Sequence, residues 1–144
     1  MTIAEQARKE IHSFTLQLAY ALQRHMREWL RDHGTIDRGI LSNSITVEDH
    51  GTHVLVGSNA PHAAPVNDGS RPHYPPVAAI EGWVTRKLGV PKKEAHGVAR
   101  AICWKIYQEG TPPQPYADSA LAAAPRLARD VIRRRVRGRT KAPP

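Results

Sequence analysis

The sequence predicts a small α+β fold: a small antiparallel β-sheet built on one hairpin, packed by a long N-terminal helix and three C-terminal helices. Three observations predict it. Apolar residues recur at Ile3, Ala7, Ile11, Phe14, Leu18, Leu22, Met26 and Trp29, the three-and-four spacing of one helix face. Ile45 and Val47 alternate with Thr46 and Glu48; after Asp49-His50-Gly51-Thr52 comes Val54-Leu55-Val56, the pattern of a hairpin with a short glycine-containing loop. Beyond Pro76, helical spacing returns three times between prolines and glycines. The 144 residues suit a single domain over 1–137, with an extended proline-rich arm at 59–76 and a basic flexible tail at 138–144. A chain of this length buries a core without metal or disulfide staples.

The first helix starts near residue 3, where Thr2-Ile3-Ala4-Glu5 has the form of a capping box, and Gly34 ends it. At 1.5 Å per residue it is about 45 Å long. That exceeds what a short hairpin covers, so part of its apolar stripe is expected to meet another helix or another subunit. Asp37 to Ser44 reads as a connector. A lone two-stranded ribbon is marginal in water and needs a helix across one face, with further strands from elsewhere in the chain or from a neighbour.

The arm carries prolines at 61, 65, 72, 75 and 76, which fix φ and remove donors, so neither strand nor helix is expected there. Two readings fit it: an ordered arm that docks on a surface, or a mobile surface loop. Val77 to Leu88 then reads as a short helix with the stripe Val77, Ile80, Val84 and Leu88, flanked by Trp83 and closed by Gly89. A further helix is expected from about Lys92 to Glu109, with Ala95, Val98, Ala99, Ile102 and Ile106 facing inward. Thr111 to Pro115 is an extended linker. The last helix is expected from about Tyr116 to Arg137, on the stripe Ala117, Ala120, Leu121, Ala124, Leu127, Ala128, Val131 and Ile132, with a kink or break at Pro125.

Charge is concentrated at one end. Eight basic residues between Arg126 and Lys141 stand against Asp130 alone, a net of +7 out of +8 for the whole chain. Such a cluster neutralises phosphates and releases counterions, so Arg133, Arg134, Arg135 and Arg137 are candidates for polyanion contact. A solvated helix end that favours the dipole is the plainer reading.

Catalytic chemistry is not indicated. Among the eight histidines only His50 and His53 are close in sequence, and no cysteine or acidic cluster accompanies them at metal-ligand spacing. There is no phosphate loop, no nucleophile elbow and no His-Glu-x-x-His pair. The single cysteine, Cys103, lies in an apolar run and reads as a buried thiol. The expectation is therefore no enzyme, no cofactor and no metal. No stretch has the length of a membrane span or the apolar core of a signal peptide, so the expected compartment is the cytoplasm.

Several short motifs occur in a suggestive order: Gly39-x-Leu41-x-x-Ser44-Ile45, Val54-x-Val56-Gly57-Ser58, His62-Ala63-x-x-Val66-x-x-Gly69-x-x-Pro72-His73, then Gly110 to Tyr116 and Ala120-Leu121. Over residues 35 to 125 the chain resembles the minor tail, or tail-completion, proteins of long-tailed bacteriophages. It departs from their pattern at His62, where the family has Tyr, and at Asn67, where it has an acid. The resemblance implies a structural virion protein of the neck or tail, assembled in the bacterial host cytoplasm. It also implies an oligomeric ring, a hexamer being one candidate, in tail completion or head–tail joining around the DNA path. Neck connector and tail tube or terminator proteins are the implied partners, with non-specific contact to viral DNA.

Within that expectation Leu41, Val54, Val56, Val66, Pro72 and Trp83 carry the oligomer interface. Gly39, Leu41 and Ser44 set the approach to the sheet, Gly57 and Gly69 allow turns, and the arm clasps a neighbour. The alternative is a small cytoplasmic nucleic-acid-binding protein using its arginine-rich C-terminal helix. Against it, no helix-turn-helix pattern is present.

Overall fold

A computed structural model describes residues 1–140. It is a small α+β structure in which six helices surround a two-stranded antiparallel sheet. The long first helix, α1 (Ile3–Asp32), begins at the expected capping box: the Glu5 amide donates to Thr2 Oγ1 at 3.2 Å, and the Thr2 amide donates to Glu5 Oε2 at 2.7 Å. A five-residue helix, α2 (Ile40–Ser44), follows within the segment read as a connector. One and a half turns are too few for a periodic apolar pattern to announce them.

Strands β1 (Thr46–Asp49) and β2 (Val54–Gly57) pair with Val47 opposite Val56 and Glu48 opposite Leu55. Alternation puts the valines against α1 and leaves Thr46, Glu48 and Leu55 outward. Gly57, expected at a turn, is instead a strand residue opposite Thr46. Two side chains of α1 secure the hairpin's root. Gln23 Nε2 donates to the Ile45 carbonyl at 2.8 Å, and Arg27 donates to the carbonyls of Ser42 at 3.0 Å and Ile45 at 2.9 Å. These bonds satisfy carbonyls that the end of α2 leaves without helical partners.

The arm is not extended throughout. Residues Ala63–Asp68 form a helix, α3, with Pro65 inside it. Pro65 is the third helical residue, where an amide would have no i−4 carbonyl to meet, so its missing donor costs nothing.

Helix α4 (Val77–Leu88) and helix α5 (Lys92–Glu109) pack as an antiparallel pair around their own small core of Val84, Ala95 and Ala99, with Val77, Ile80, Trp83, Val98 and Ile102 around it. Leu88, expected on that stripe, is half exposed at the end of α4. Cys103 is fully buried, as its apolar setting suggested.

Helix α6 (Tyr116–Thr140) runs without a break through Pro125. Pro125 removes the donor for the Leu121 carbonyl, but both residues face solvent, where water serves that carbonyl. Leu121 and Ile132 are accordingly not on the buried stripe, being 74% and 50% exposed. The helix also passes through Gly138, so the expected basic tail begins in helix; its remainder, 141–144, lies outside the described residues.

Helices α1 and α6 lie antiparallel, since His25 meets Ser119 at 3.0 Å near one end and Glu10 pairs with Arg135 and Arg139 near the other. Small residues allow the close approach: Ala21 of α1 and Ala120 of α6 are buried. The main core joins Met26, Leu30, Leu41, Ile45, Ala63, Tyr116 and Ala120. The first three turns of α1 overhang this core, which leaves Ile3 90% and Ile11 65% exposed.

Only a few contacts tie the α4–α5 pair to the body. Arg86 embraces Asp37, with Nε to Oδ1 at 3.1 Å and Nη2 to Oδ2 at 2.6 Å, and Lys87 Nζ donates to the Ile36 carbonyl at 2.6 Å. The hydrogen bond from Arg86 holds the Asp37 carboxyl below its ordinary value and raises Arg86 in return. A carboxylate depressed in the folded state stabilises the fold above its unfolded pKa of about 3.9 and loses that contribution as pH falls toward the folded value. The stability difference between wild type and Asp37→Asn is therefore expected to be constant above about pH 5 and to shrink below about pH 4. Urea unfolding across pH checks this; a difference that persists unchanged at pH 2 contradicts it.

Candidate assembly and polyanion-binding surfaces

Segments far apart in the sequence are brought together in space. The end of the arm and the segment before α6, more than 40 positions apart in sequence, form one joint. Ser70 and Thr111 exchange backbone hydrogen bonds in both directions at 3.1 Å, and their hydroxyls meet at 2.8 Å. The Gln114 amide donates to the Val66 carbonyl at 2.7 Å, and Tyr116 Oη donates to the Ala63 carbonyl at 3.3 Å. Burial, with a smaller effect from Asp68, raises the Tyr116 phenol above its ordinary pKa and keeps it a donor.

Two glycines make this approach possible. Gly69 (φ 78, ψ 175) and Gly110 (φ 74, ψ −160) occupy a backbone region open essentially to glycine alone. A Cβ on Gly110 would stand 2.0 Å from the Ser70 carbonyl oxygen, and one on Gly69 2.6 Å from that of Thr111.

Asn67 adds a side-chain link between the arm and the last helix. Its Oδ1 accepts from the Ala117 amide at 3.0 Å and its Nδ2 donates to Asp118 Oδ2 at 3.0 Å, so it caps α6 from another element. An amide provides both an acceptor and a donor; a carboxylate at this position would repel Asp118.

The expected interface residues are distributed as follows. Val54 and Val56 are partly buried under α1, and Val66 packs on the subunit's own core. Leu41 is 8% exposed and belongs to the core. It reaches the surface only as floor of a recess of about 210 Å³ beside Ile36, Ile40, His62 and Val66. Trp83 lies against the α4–α5 core, and Pro72 is exposed. The arm thus docks on its own chain through 63–70; the expected clasp on a neighbour is left to its exposed stretch, Arg71 to Tyr74.

Surface that the sequence reading missed lies elsewhere. Tyr74, Trp104 and Tyr107 form an exposed aromatic group, Tyr74 edge-on to Tyr107 with centroids 6.3 Å apart and Trp104 tilted against Tyr107 at 5.4 Å. Trp104 and Tyr107 are three residues apart on the outer face of α5, a spacing visible in the sequence but overshadowed there by the buried stripe. A second apolar strip runs along the α1–α6 seam through Ile11, Phe14, Ile132 and Val136.

The four candidate polyanion residues do not form one surface. Arg135 is turned inward onto α1, where its guanidinium binds Glu10 and donates to Ser13 Oγ at 3.0 Å. Arg133, Arg134 and Arg137 are exposed. Arg133 stands 3.9 Å from Asp130, and Arg134 Nε donates to the Asp130 carbonyl at 3.3 Å. Spacing on a helix separates these roles: Arg135 is one turn beyond the buried Val131, whereas Arg133 is on the opposite side.

At the hairpin tip, the Gly51 amide and then His12, at 3.0 Å, hold the Asp49 carboxyl below its ordinary value. Among the described residues no three histidine, cysteine or acidic side chains gather as a metal site would require. Likewise no described helix is long and apolar enough to cross a membrane. The chain matches no protein-family model, no curated protein and no solved structure.

Proposed function

We propose that this chain is a structural subunit of a phage neck or tail, which assembles as an oligomeric ring for tail completion or head–tail joining around the DNA path. The observation that supports this best is the amount of joining surface the folded subunit leaves uncovered. Its sheet has two strands, so each presents one unpaired edge, and Leu55 stands 51% exposed on the outward face. The Tyr74, Trp104 and Tyr107 group adds the rigid aromatic anchors that protein interfaces favour. Edge and aromatic group lie on different elements, as head-to-tail contact requires, and closure into a ring satisfies every such contact at once. Neck connector and tail tube or terminator proteins are the proposed neighbours, and the virion the proposed location.

Electron-microscope images of the purified, concentrated protein are expected to show closed rings with a central opening. Trp104→Glu with Tyr107→Glu is expected to disperse them while leaving the helical circular-dichroism signal in place. Isolated small particles from the wild-type chain contradict the reading and favour the alternative, a small nucleic-acid-binding protein.

A further inference from the structure

We propose that the outward face of α6, formed by Arg126, Arg129, Arg133 and Arg137, is a binding surface for the phosphate backbone of double-stranded DNA, blind to base sequence. At 3.6 residues per turn these four positions line up on one side of the helix, opposite the buried Val131 and Ala120. All four are exposed, and Arg126 and Arg129 have no ion-pair partner among the described residues. The packing of α6 on α1 therefore creates a ridge that charge counting could not: it removes Arg135 to the interior seam and adds Arg126 and Arg129.

Three features select the partner. First, Arg126, Arg129 and Arg133 repel one another, being like charges three and four residues apart, and Asp130 offsets only part of this. An anion placed along the ridge removes that cost. Second, the arginines are about 4.5, 6 and 6 Å apart along the axis, over about 16 Å. Double-stranded DNA carries a charge every ~1.7 Å of its own axis, so a segment of that length carries about ten phosphates over its two strands, and those on the near side face the ridge. Each guanidinium fork matches a phosphate with two parallel donors. Third, the sector of α6 that these arginines occupy holds no aromatic, Asn or Gln side chain, and the exposed apolar residues of the helix, Leu121, Ile132 and Val136, lie outside it. A protein interface would want an apolar centre depleted of charge, and base readout would want amide side chains. The ridge offers neither, which leaves backbone phosphate as the fitting ligand.

The contact is a property of the subunit; it rests on the assembly reading only for its place in a particle, where a ridge turned to the lumen would line the DNA path. The test is fluorescence anisotropy with the full chain and two unrelated 20-base-pair duplexes, titrated over a range of KCl concentrations. Both duplexes are expected to bind equally, with log affinity falling against log salt at a slope of about −3 to −4, near 0.9 per phosphate neutralised. The R126Q/R129Q/R133Q variant is expected to lower that slope by two to three units and the affinity at least tenfold at about 0.1 M salt. R135Q is expected to leave the slope unchanged. An R126K/R129K/R133K variant, which keeps charge and helix propensity, is expected to retain the slope.

Wild-type protein without salt-dependent binding overturns the proposal. So does a triple-glutamine variant with the wild-type slope, a strong preference for one duplex, or tighter binding to polyglutamate than to DNA. Light scattering on the same samples separates the two readings: rings without DNA binding sink this inference alone, and DNA binding by a monomer sinks the assembly reading alone.

Discussion

Gly110→Ala is expected to be the most damaging single-methyl change in the chain, costing about 3–5 kcal/mol or abolishing cooperative folding. Two penalties combine. Any side chain forced into the backbone region of Gly110 costs about 1–3 kcal/mol. The added carbon would in addition stand 2.0 Å from the Ser70 carbonyl oxygen, a backbone atom that cannot rotate away. Relief requires the two linkers to part, which breaks the reciprocal Ser70–Thr111 bonds and loosens the Val66–Gln114 and Asn67–Ala117 contacts beside them. The α4–α5 pair hangs from this joint and the Asp37–Arg86 tie. Urea unfolding of wild type and variant, with Gly97→Ala as the control, checks the claim. A Cβ at Gly97 meets nothing within 4 Å and its residue lies inside α5, so the control is expected to stabilise by up to about 1 kcal/mol. Equal, small effects at both positions would mean that the joint does not hold the subunit together.

Ile45→Ala is expected to cost about 3 kcal/mol, within the range of 2–5 for removing a buried aliphatic side chain. Ile45 is 0% exposed at the junction of α2 and β1, in the core that also holds Met26 and Leu30 of α1 and Ala120 of α6. The Gln23 and Arg27 bonds to the Ile45 carbonyl fix its backbone relative to α1, which restrains the space from closing. For a chain of this size the loss corresponds to about 10 °C in Tm. Thr46→Ala, one position on and exposed, is expected to change stability by under about 0.5 kcal/mol. A similar response at both sites would place the hairpin in the other register, since a one-residue slip exchanges its faces.

How legible these features were in the sequence depended on the range of the interaction behind each. Helices α1, α4 and α5 and the hairpin were readable because periodicity, capping residues and turn residues are local; Thr2 and Glu5 alone place the start of α1. Helix α3 was not, because Pro65 reads as a breaker until its place in the first turn is known. The continuity of α6 through Pro125 likewise depends on which side faces water. The joint between the arm and the last helix was invisible: it pairs Ser70 with Thr111 and Asn67 with Ala117, and no local pattern reports a contact across more than 40 positions.

The charged and aromatic surfaces were legible in part. Counting arginines located the basic helix but could not say that Arg135 turns to Glu10 while Arg126 and Arg129 point outward. Trp104 and Tyr107 were hidden inside a helix whose buried stripe drew the eye, and Tyr74 joins them only through the path of the arm. Val66 was expected to serve a neighbour; its packing on the subunit's own core means that truncating it should weaken the monomer first.

The proposed assembly requires copies of this chain to cover what one copy leaves open. The most direct test is its molar mass by light scattering as concentration is raised. The prediction is a plateau at one fixed multiple of 16.0 kDa that high salt and the R126Q/R129Q/R133Q substitutions leave intact. A mass that stays at 16.0 kDa at every concentration would contradict it.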